Sequence, residues 1–326
     1  MVQLALEAKY FFKLGEQYII EDDKVVIVDE STGRPMPNRS WKMGLHQMVE
    51  AKERVEITNP TQTVAQISFQ SFFRKYGTLS GATGTASEIS NEIWHTYGMP
   101  VVKIPRNKPN IRTHEKTLFF NTLKEKEIAV LESIKSRIGT GQPVLIGTRS
   151  VKASERLNDL FKDNDIDCHV LNARKLNEEA RIISEAGKLK RLTIATNMAG
   201  RGTDIELGHG VKDLGGIHVM ATEPHESRRV DRQLFGRAAR QGDPGSTSAF
   251  YSVTDDLFSK NLPSTILHIC RWLLLKNSAR GKRSYILHFL MFLAQLRAEN
   301  LDRSRRKSVS DNEEKMRSGL GFAGDR

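Results

Sequence analysis

Between residues 123 and 253 the apolar positions switch repeatedly between two periods. Pro143–Gly147, Cys168–Leu171, Leu192–Thr196, Gly216–Ala221 and Ser248–Val253 are short apolar runs, the pattern of strands buried on both faces. Leu123–Ile138, Val151–Lys162, Glu178–Leu189 and Glu226–Ala239 instead place apolar residues three and four apart, which predicts amphipathic helices. Strands alternating with helices imply βαβ units. The expected fold is α/β, a parallel sheet with helices on both faces.

The chain before this region is less regular. Residues 1–17 have helical spacing, and Tyr18–Ile20 with Val25–Val28 flank Glu21-Asp22-Asp23-Lys24 as a hairpin. Ser31 to Arg39 carries Gly33, Pro35 and Pro37 and is expected to be a loop. Trp41–Arg54 and Thr61–Tyr76 are helix candidates. Gly81-Ala82-Thr83-Gly84-Thr85-Ala86 allows close backbone approach. Pro105–Thr117 is polar and suits a crossover between lobes. After the regular region, Ile266–Leu275 and Tyr285–Leu296 are apolar helices separated by the basic run Arg280-Gly281-Lys282-Arg283, and the chain from Ser308 is polar and expected to be loose.

Composition narrows the class. The chain has 326 residues, enough for more than one domain, and a net charge of +11 that favours an anionic partner. Its two cysteines, Cys168 and Cys270, form no CxxC pair, so a reducing compartment and no structural zinc are expected. Neither a signal peptide nor a run of apolar residues long enough to span a bilayer stands out.

Two segments carry candidate chemistry. Thr193–Ile205, TIATNMAGRGTDI, is a buried strand running into a glycine-rich turn that ends on an acid. Gly200 and Gly202 let backbone N–H groups approach a phosphate. Asp204 could accept from a ribose hydroxyl or anchor an arginine, and Arg201 could reach an anion. Gln233–Gly245, QLFGRAARQGDPG, puts Arg237 and Arg240 three apart, on one face if the segment is helical. Two guanidinium groups so placed suit a phosphate. Gln233, one turn earlier, could orient a water or the arginines. Val25–Glu30, VVIVDE, puts Asp29 at the end of its apolar run, either a magnesium-holding acid or a hairpin-turn acid. No GxxxxGK[ST] loop occurs anywhere in the chain. His46, His225 and Glu226 match no metal spacing, which favours structural hydrogen bonds.

VVIVDESTGRPMPNRSWKMGLHQMVEAKE, GATGTASE, NMAGRGTDI and HESRRVDRQLFGRAARQGDPG closely resemble the SecA preprotein translocase ATPases, over roughly residues 5 to 258. The resemblance implies a RecA-like fold of the P-loop NTPase superfamily, with a helicase-type second lobe. It divides the chain into a remnant of the preprotein cross-linking domain (1–33), the end of the first lobe (34–104), the second lobe (105–258) and a short, basic helical region (259–326). Implied nucleotide contacts are Arg201, Gly202, Asp204 and Gln233, with Arg237 and Arg240 as an arginine-finger pair. Thr83–Ala86 is implied to link nucleotide state to lobe movement, and Asp29 lies away from the family's magnesium acids.

The implied cofactor is ATP, with Mg2+ held by a part of the first lobe that this sequence does not contain. Implied partners are the SecYEG channel, unfolded preproteins, anionic lipids and a second copy, with no specific nucleic acid. The implied location is the cytoplasmic side of the bacterial inner membrane. The chain departs from the family in its absent P-loop, in Phe235 where many members have arginine, and in its shortened C-terminal region. Alone, it is expected to hydrolyse ATP negligibly. The alternative is a helicase C-terminal lobe that binds nucleic acid.

Overall fold

The computed structural model describes residues 1–29, 35–59, 67–171, 179–196, 203–275 and 282–321. Its centre is a seven-stranded sheet. The strands are β4 (Thr113–His114), β5 (Leu118–Phe120), β6 (Val144–Thr148), β7 (His169–Leu171), β8 (Leu192–Thr196), β9 (Ile217–Ala221) and β10 (Gly245–Ser252). Their order is β4-β10-β9-β6-β8-β7, with β5 also paired to β10. All these pairings are parallel. β4 pairs near Ser246 and β5 near Tyr251, so the two short strands together line one edge of β10.

Alternation along each strand divides the apolar residues between two layers. Val144, Ile146, Ile194, Met220 and Phe250 pack with Val130 and Ile134 of α5 (Leu123–Thr140) and with Leu157 and Phe161 of α6 (Val151–Lys162). Leu145, Ala195, Val219 and Tyr251 face the other way. There they meet Ile182 and Ile183 of α7 (Glu179–Glu185) and Leu234 of α8 (Arg228–Phe235). The expected parallel sheet, covered on both faces, is therefore observed. Local signals set the helix starts. Thr122 and Glu125 form a reciprocal cap on α5, and Ser150 Oγ accepts from Ala153 N–H at the start of α6. Gly147 has no side chain because α8 lies against β6: a Cβ there would sit 2.3 Å from Leu234 Cδ2.

The N-terminal part is a separate small layer. α1 (Val2–Tyr10) and α2 (Leu45–Glu53) pack on β1 (Tyr18–Glu21), β2 (Lys24–Val28) and β3 (Pro35–Met36) around Ala8, Tyr18, Val25 and Val49. Asp22 and Asp23 both take left-handed conformations in the β1–β2 turn, which suits the twist of a tight hairpin. α3 (Phe69–Phe73) and α4 (Ser90–Tyr97) follow, and neither buries a residue.

Several expectations change. The first helix stops at Tyr10 rather than residue 17, and the expected loop over Ser31–Arg39 contains β3, paired to β2. The polar crossover contains β4, and β5, α4 and α9 (Asp256–Asn261) had no expectation at all. The tail expected to be loose is helical: α11 runs from Lys282 to Gly321, after α10 (Ser264–Leu275). Much of the helix expected over Thr61–Tyr76 lies outside the described residues.

Candidate functional site

β9 leads into α8, and α8 must return the chain to the start of β10. It ends at Phe235, whose carbonyl accepts from Arg112 Nη1 at 2.6 Å, a cation at a helix C-terminus. The chain then turns sharply, with Ala239 and Gln241 both left-handed at φ 54° and 55°. Gly245 opens β10 in contact with this turn, where a Cβ would lie 2.5 Å from Ala239 N.

Arg237 and Arg240 therefore do not share a helix face, because the helix stops before either residue. Arg237 is buried, at 9% exposure. The Arg240 side chain is partly open, at 36%. The turn also sits at the amino end of β10, not at the strands' carboxyl ends where ligands of parallel sheets usually bind.

Arg240 has a defined set of partners. Its Nη1 donates to Asp204 Oδ1 at 2.6 Å and to Thr203 O at 3.5 Å, and its Nε donates to Gly236 O at 3.3 Å. Gln241 Nε2 donates to Asp204 Oδ2 at 3.1 Å, and Ile205 N–H donates to Asp204 Oδ1 at 3.0 Å. The Arg240 hydrogen bond is the main cause holding the Asp204 carboxyl below its ordinary range, against a smaller opposing effect of burial. So the two sequence segments do meet, through Asp204 and Arg240. Arg201 and Gly202 lie outside the described residues.

Gln233 leads elsewhere. Its Nε2 donates to Thr85 Oγ1 at 3.3 Å, and neighbouring Arg232 pairs with Glu88 at 2.9 Å. α8 thus carries the arginine turn at its end and contacts with the Thr83–Ala86 segment along its side. Nothing in the sequence pattern announced Glu88, since one acid gives no sign of a partner so distant along the chain.

A second feature occupies the strands' carboxyl ends. A crevice of about 1030 Å³ is lined there by Arg149, His225, Glu226, Arg228, Glu92 and Arg306, among others. Arg149 Nη2 donates to Glu226 at 2.9 Å, and Arg306 holds Glu92. His225 Nδ1 lies 2.6 Å from Asp231 Oδ1, and His46 Nε2 lies 3.3 Å from Glu50. Both imidazoles are held by carboxylates, and among the described residues no group of three possible metal ligands occurs.

The site's donors suit a phosphate better than a metal ion. Guanidinium and amide N–H groups line it, while both oxygens of Asp204 are already engaged by Arg240, Gln241 and Ile205.

A parallel sheet of this order, with helices on both faces and an arginine turn entering its β10 strand, defines a RecA-like lobe of the P-loop NTPase superfamily. The family model of the SecA P-loop domain matches residues 109–212 and 208–277, and that of the SecA preprotein cross-linking domain matches residues 1–50. The chain belongs to the SecA family.

Its relatives include the protein translocase subunit SecA 2 of Chlorobium chlorochromatii, 42% identical over 99% of this chain and 49% of that protein. SecA 2 of Bordetella avium is 45% identical over the same shares, 99% and 49%. SecA of Lawsonia intracellularis is 51% identical over 78% of this chain and 30% of that protein. The chain thus spans about half the length of the first of these relatives. The E. coli DEAD-box protein SrmB, solved bound to RraA, is 19% identical over 47% of this chain and 83% of its own, with a TM-score of 0.35.

Proposed function

We propose that this chain is the nucleotide-responsive second lobe and adjoining regions of a SecA-type protein translocase. Residues 1–33 correspond to the cross-linking domain, 34–104 to the end of lobe one, 105–258 to lobe two and 259–326 to a shortened helical region. The whole machine would use ATP to drive preproteins through SecYEG. It would work at the cytoplasmic face of the bacterial inner membrane against anionic lipid, alone or as a homodimer.

One observation carries the nucleotide part of this reading: Arg240 is held in a half-open turn by Asp204, whose other oxygen accepts from Gln241. Arg240 would meet phosphate oxygens, with Gln241 as a neighbouring amide and Arg237 as the second guanidinium; Gln233, whose amide reaches Thr85, would act from the Thr83–Ala86 side. Arg201 and Gly202 are assigned to the same surface from sequence. When bound, ATP supplies the phosphoanhydride whose γ-phosphoryl group is transferred to water. The chain's own part is electrostatic: a guanidinium stabilises negative charge as it develops. The phosphate cradle and the magnesium acids must come from a first lobe with a P-loop, since this sequence has no GxxxxGK[ST].

Complementation tests the proposal. The full chain is titrated with the P-loop-bearing first lobe of a SecA relative, and magnesium-dependent ATP turnover is followed. Negligible turnover alone, rescued turnover on mixing and loss of the rescue with Arg240→Ala are expected. Turnover at motor rates by the chain alone, or rescue indifferent to Arg240→Ala, would overturn it.

A further inference from the structure

The turn between α8 and β10 keeps a conformation that its own residues do not favour. Ala239 and Gln241 are left-handed without being glycine, and such backbone persists only where the surroundings hold it. On one side the hold comes from residues 108–114, the end of the polar crossover that leads into the sheet. Lys108 packs on Gly242, where a Cβ would lie 2.8 Å from Lys108 Cδ. Thr113 Oγ1 donates to Gly245 O at 3.4 Å, and β4 then pairs with β10 from Ser246 onward. On the other side Lys212 grips Asp243 at 2.6 Å, but that lysine is exposed.

Arg112 is the centre of the crossover contact. Asn110 Oδ1 accepts from its N–H at 3.2 Å, a local turn that fixes the backbone after Pro109. Arg112 Nη1 reaches Phe235 O, the carbonyl that also accepts from Ala238 N–H at 3.1 Å and so starts the turn. The next carbonyl, Gly236 O, accepts from Arg240 Nε. Two consecutive carbonyls at the end of α8 thus hold two guanidinium groups, one from the crossover and one from the turn. Arg112 is half-buried, and its Nε is buried without a hydrogen-bond partner among the described residues. Burial, helped by the charge of Arg106, holds its pKa below the ordinary guanidinium range. A charge is kept there at a desolvation cost, and it is spent on a carbonyl at the negative end of α8.

We propose that Arg112 is a positioning residue for Arg240: through Phe235 O it fixes the turn, so that a displacement of the crossover relative to the sheet is felt at the guanidinium that would meet phosphate. This role rests on the nucleotide reading of Arg240 and adds what sets the geometry of that site. Misplacing a charged group by about 1 Å at a reacting centre costs about a hundredfold in rate, so a small relaxation of the turn is enough to be measured.

The full chain mixed with the P-loop-bearing first lobe of a SecA relative tests it, with amide exchange of the full chain alone as a second measurement. Arg112→Met keeps the apolar stem and removes the donor. It is expected to lower kcat by about ten- to a hundredfold with the KM for ATP kept within about threefold. Arg112→Lys, which still offers the carbonyl a charged donor, should recover part of the loss. Arg112→Met should add little once Arg240→Ala is present, because it acts through that side chain. In the chain alone, exchange at Ala238 and Asp243 should quicken about tenfold or more in Arg112→Met, while Leu145 and Ile194 in the sheet stay as in the parent. A raised KM with unchanged kcat would make Arg112 a ligand of the nucleotide instead, and fully additive losses with Arg240→Ala would make its role independent of Arg240. Either result overturns the proposal, as does unchanged exchange at the turn or exchange quickened equally in the sheet. If the parent itself gives no complemented turnover, the nucleotide reading falls, and exchange alone decides whether Arg112 sets the turn.

Discussion

Arg240 Nη1 lies 2.6 Å from Asp204 Oδ1, joining a turn at the entry to β10 with a segment that follows β8. Both side chains are partly exposed, so the pair itself adds no more than about 1 kcal/mol to stability. Its effect is orientation. In a complemented motor, Arg240→Ala is expected to lower kcat by about a thousandfold or more, with ATP affinity kept within about tenfold. Asp204→Asn keeps the arginine and should cost less. Steady-state kinetics and nucleotide titration separate the two terms, and a pure affinity loss in Arg240→Ala would remove the finger role.

His218 predicts an acid-sensitive fold. It is fully buried in β9, with Nδ1 and Nε2 each 2.7 Å from the hydroxyl oxygens of Ser246 and Ser248. Burial, reinforced by the charge of Arg137, pushes its pKa down to about 3. The unfolded chain binds this proton at a pKa of about 6.5. His218 therefore adds stability fully above about pH 6.5, and that contribution is lost as pH falls towards 3. The loss is on the order of 5 kcal/mol at the acid end. His218→Gln should flatten the fall in Tm between neutral and mildly acid pH; an unchanged slope would show that other groups cause it.

Legibility followed the range of the forces. The β6, β8 and β9 strands and the α5 and α6 helices were readable because burial imposes a period on neighbouring residues. The joining of Asp204 to Arg240 was foreseen in kind, since an acid and an arginine in two glycine-rich turns invite pairing. The geometry at Arg237 was not. Helical spacing continues through Ala239, but the chain must turn back to enter β10, and Gly245 packing on Ala239 outweighs local propensity. β4 and β5 were missed because a strand of two or three residues gives no period to read. Polarity alone predicts a loose far tail, yet α11 continues through it.

Lys126 and Asp255 form a buried ion pair at 2.6 Å, with Lys126 Nζ also donating to Thr222 O. Ser252 N–H gives Asp255 a further hydrogen bond. Burial outweighs these favourable contacts and pushes the Asp255 carboxyl up to about 6. Lys126→Met leaves that carboxylate without its cation and should cost about 3–5 kcal/mol near neutral pH. A raised carboxyl pKa favours the fold below the unfolded value near 3.9 and loses that advantage as pH rises through 6. The deficit of Lys126→Met should therefore shrink in mild acid. Denaturant melts across that range check the sign; a deficit independent of pH would mean that lost packing, not charge, is the cause.

Arg306 grips Glu92 with both ends of its guanidinium, Nε to Oε1 at 2.7 Å and Nη2 to Oε2 at 3.0 Å. This contact ties α11 to α4, which has no buried residue of its own to hold it. Arg232 with Glu88, and Gln233 with Thr85, are its companions on α8. An exposed pair contributes only about 0.2–1 kcal/mol to global stability, so Arg306→Glu should leave the Tm almost unchanged. Locally the effect should be larger, because a segment attached by polar contacts opens on its own. Amide exchange across Ser90–Tyr97 is expected to quicken several-fold in Arg306→Glu, to return towards the parent in Glu92→Arg/Arg306→Glu, and to quicken with salt in the parent. Since Glu92 and Arg306 both line the crevice at the carboxyl ends of the strands, the same swap should control access to it. Unchanged exchange in Arg306→Glu would place the hold on α4 in the α8 contacts instead.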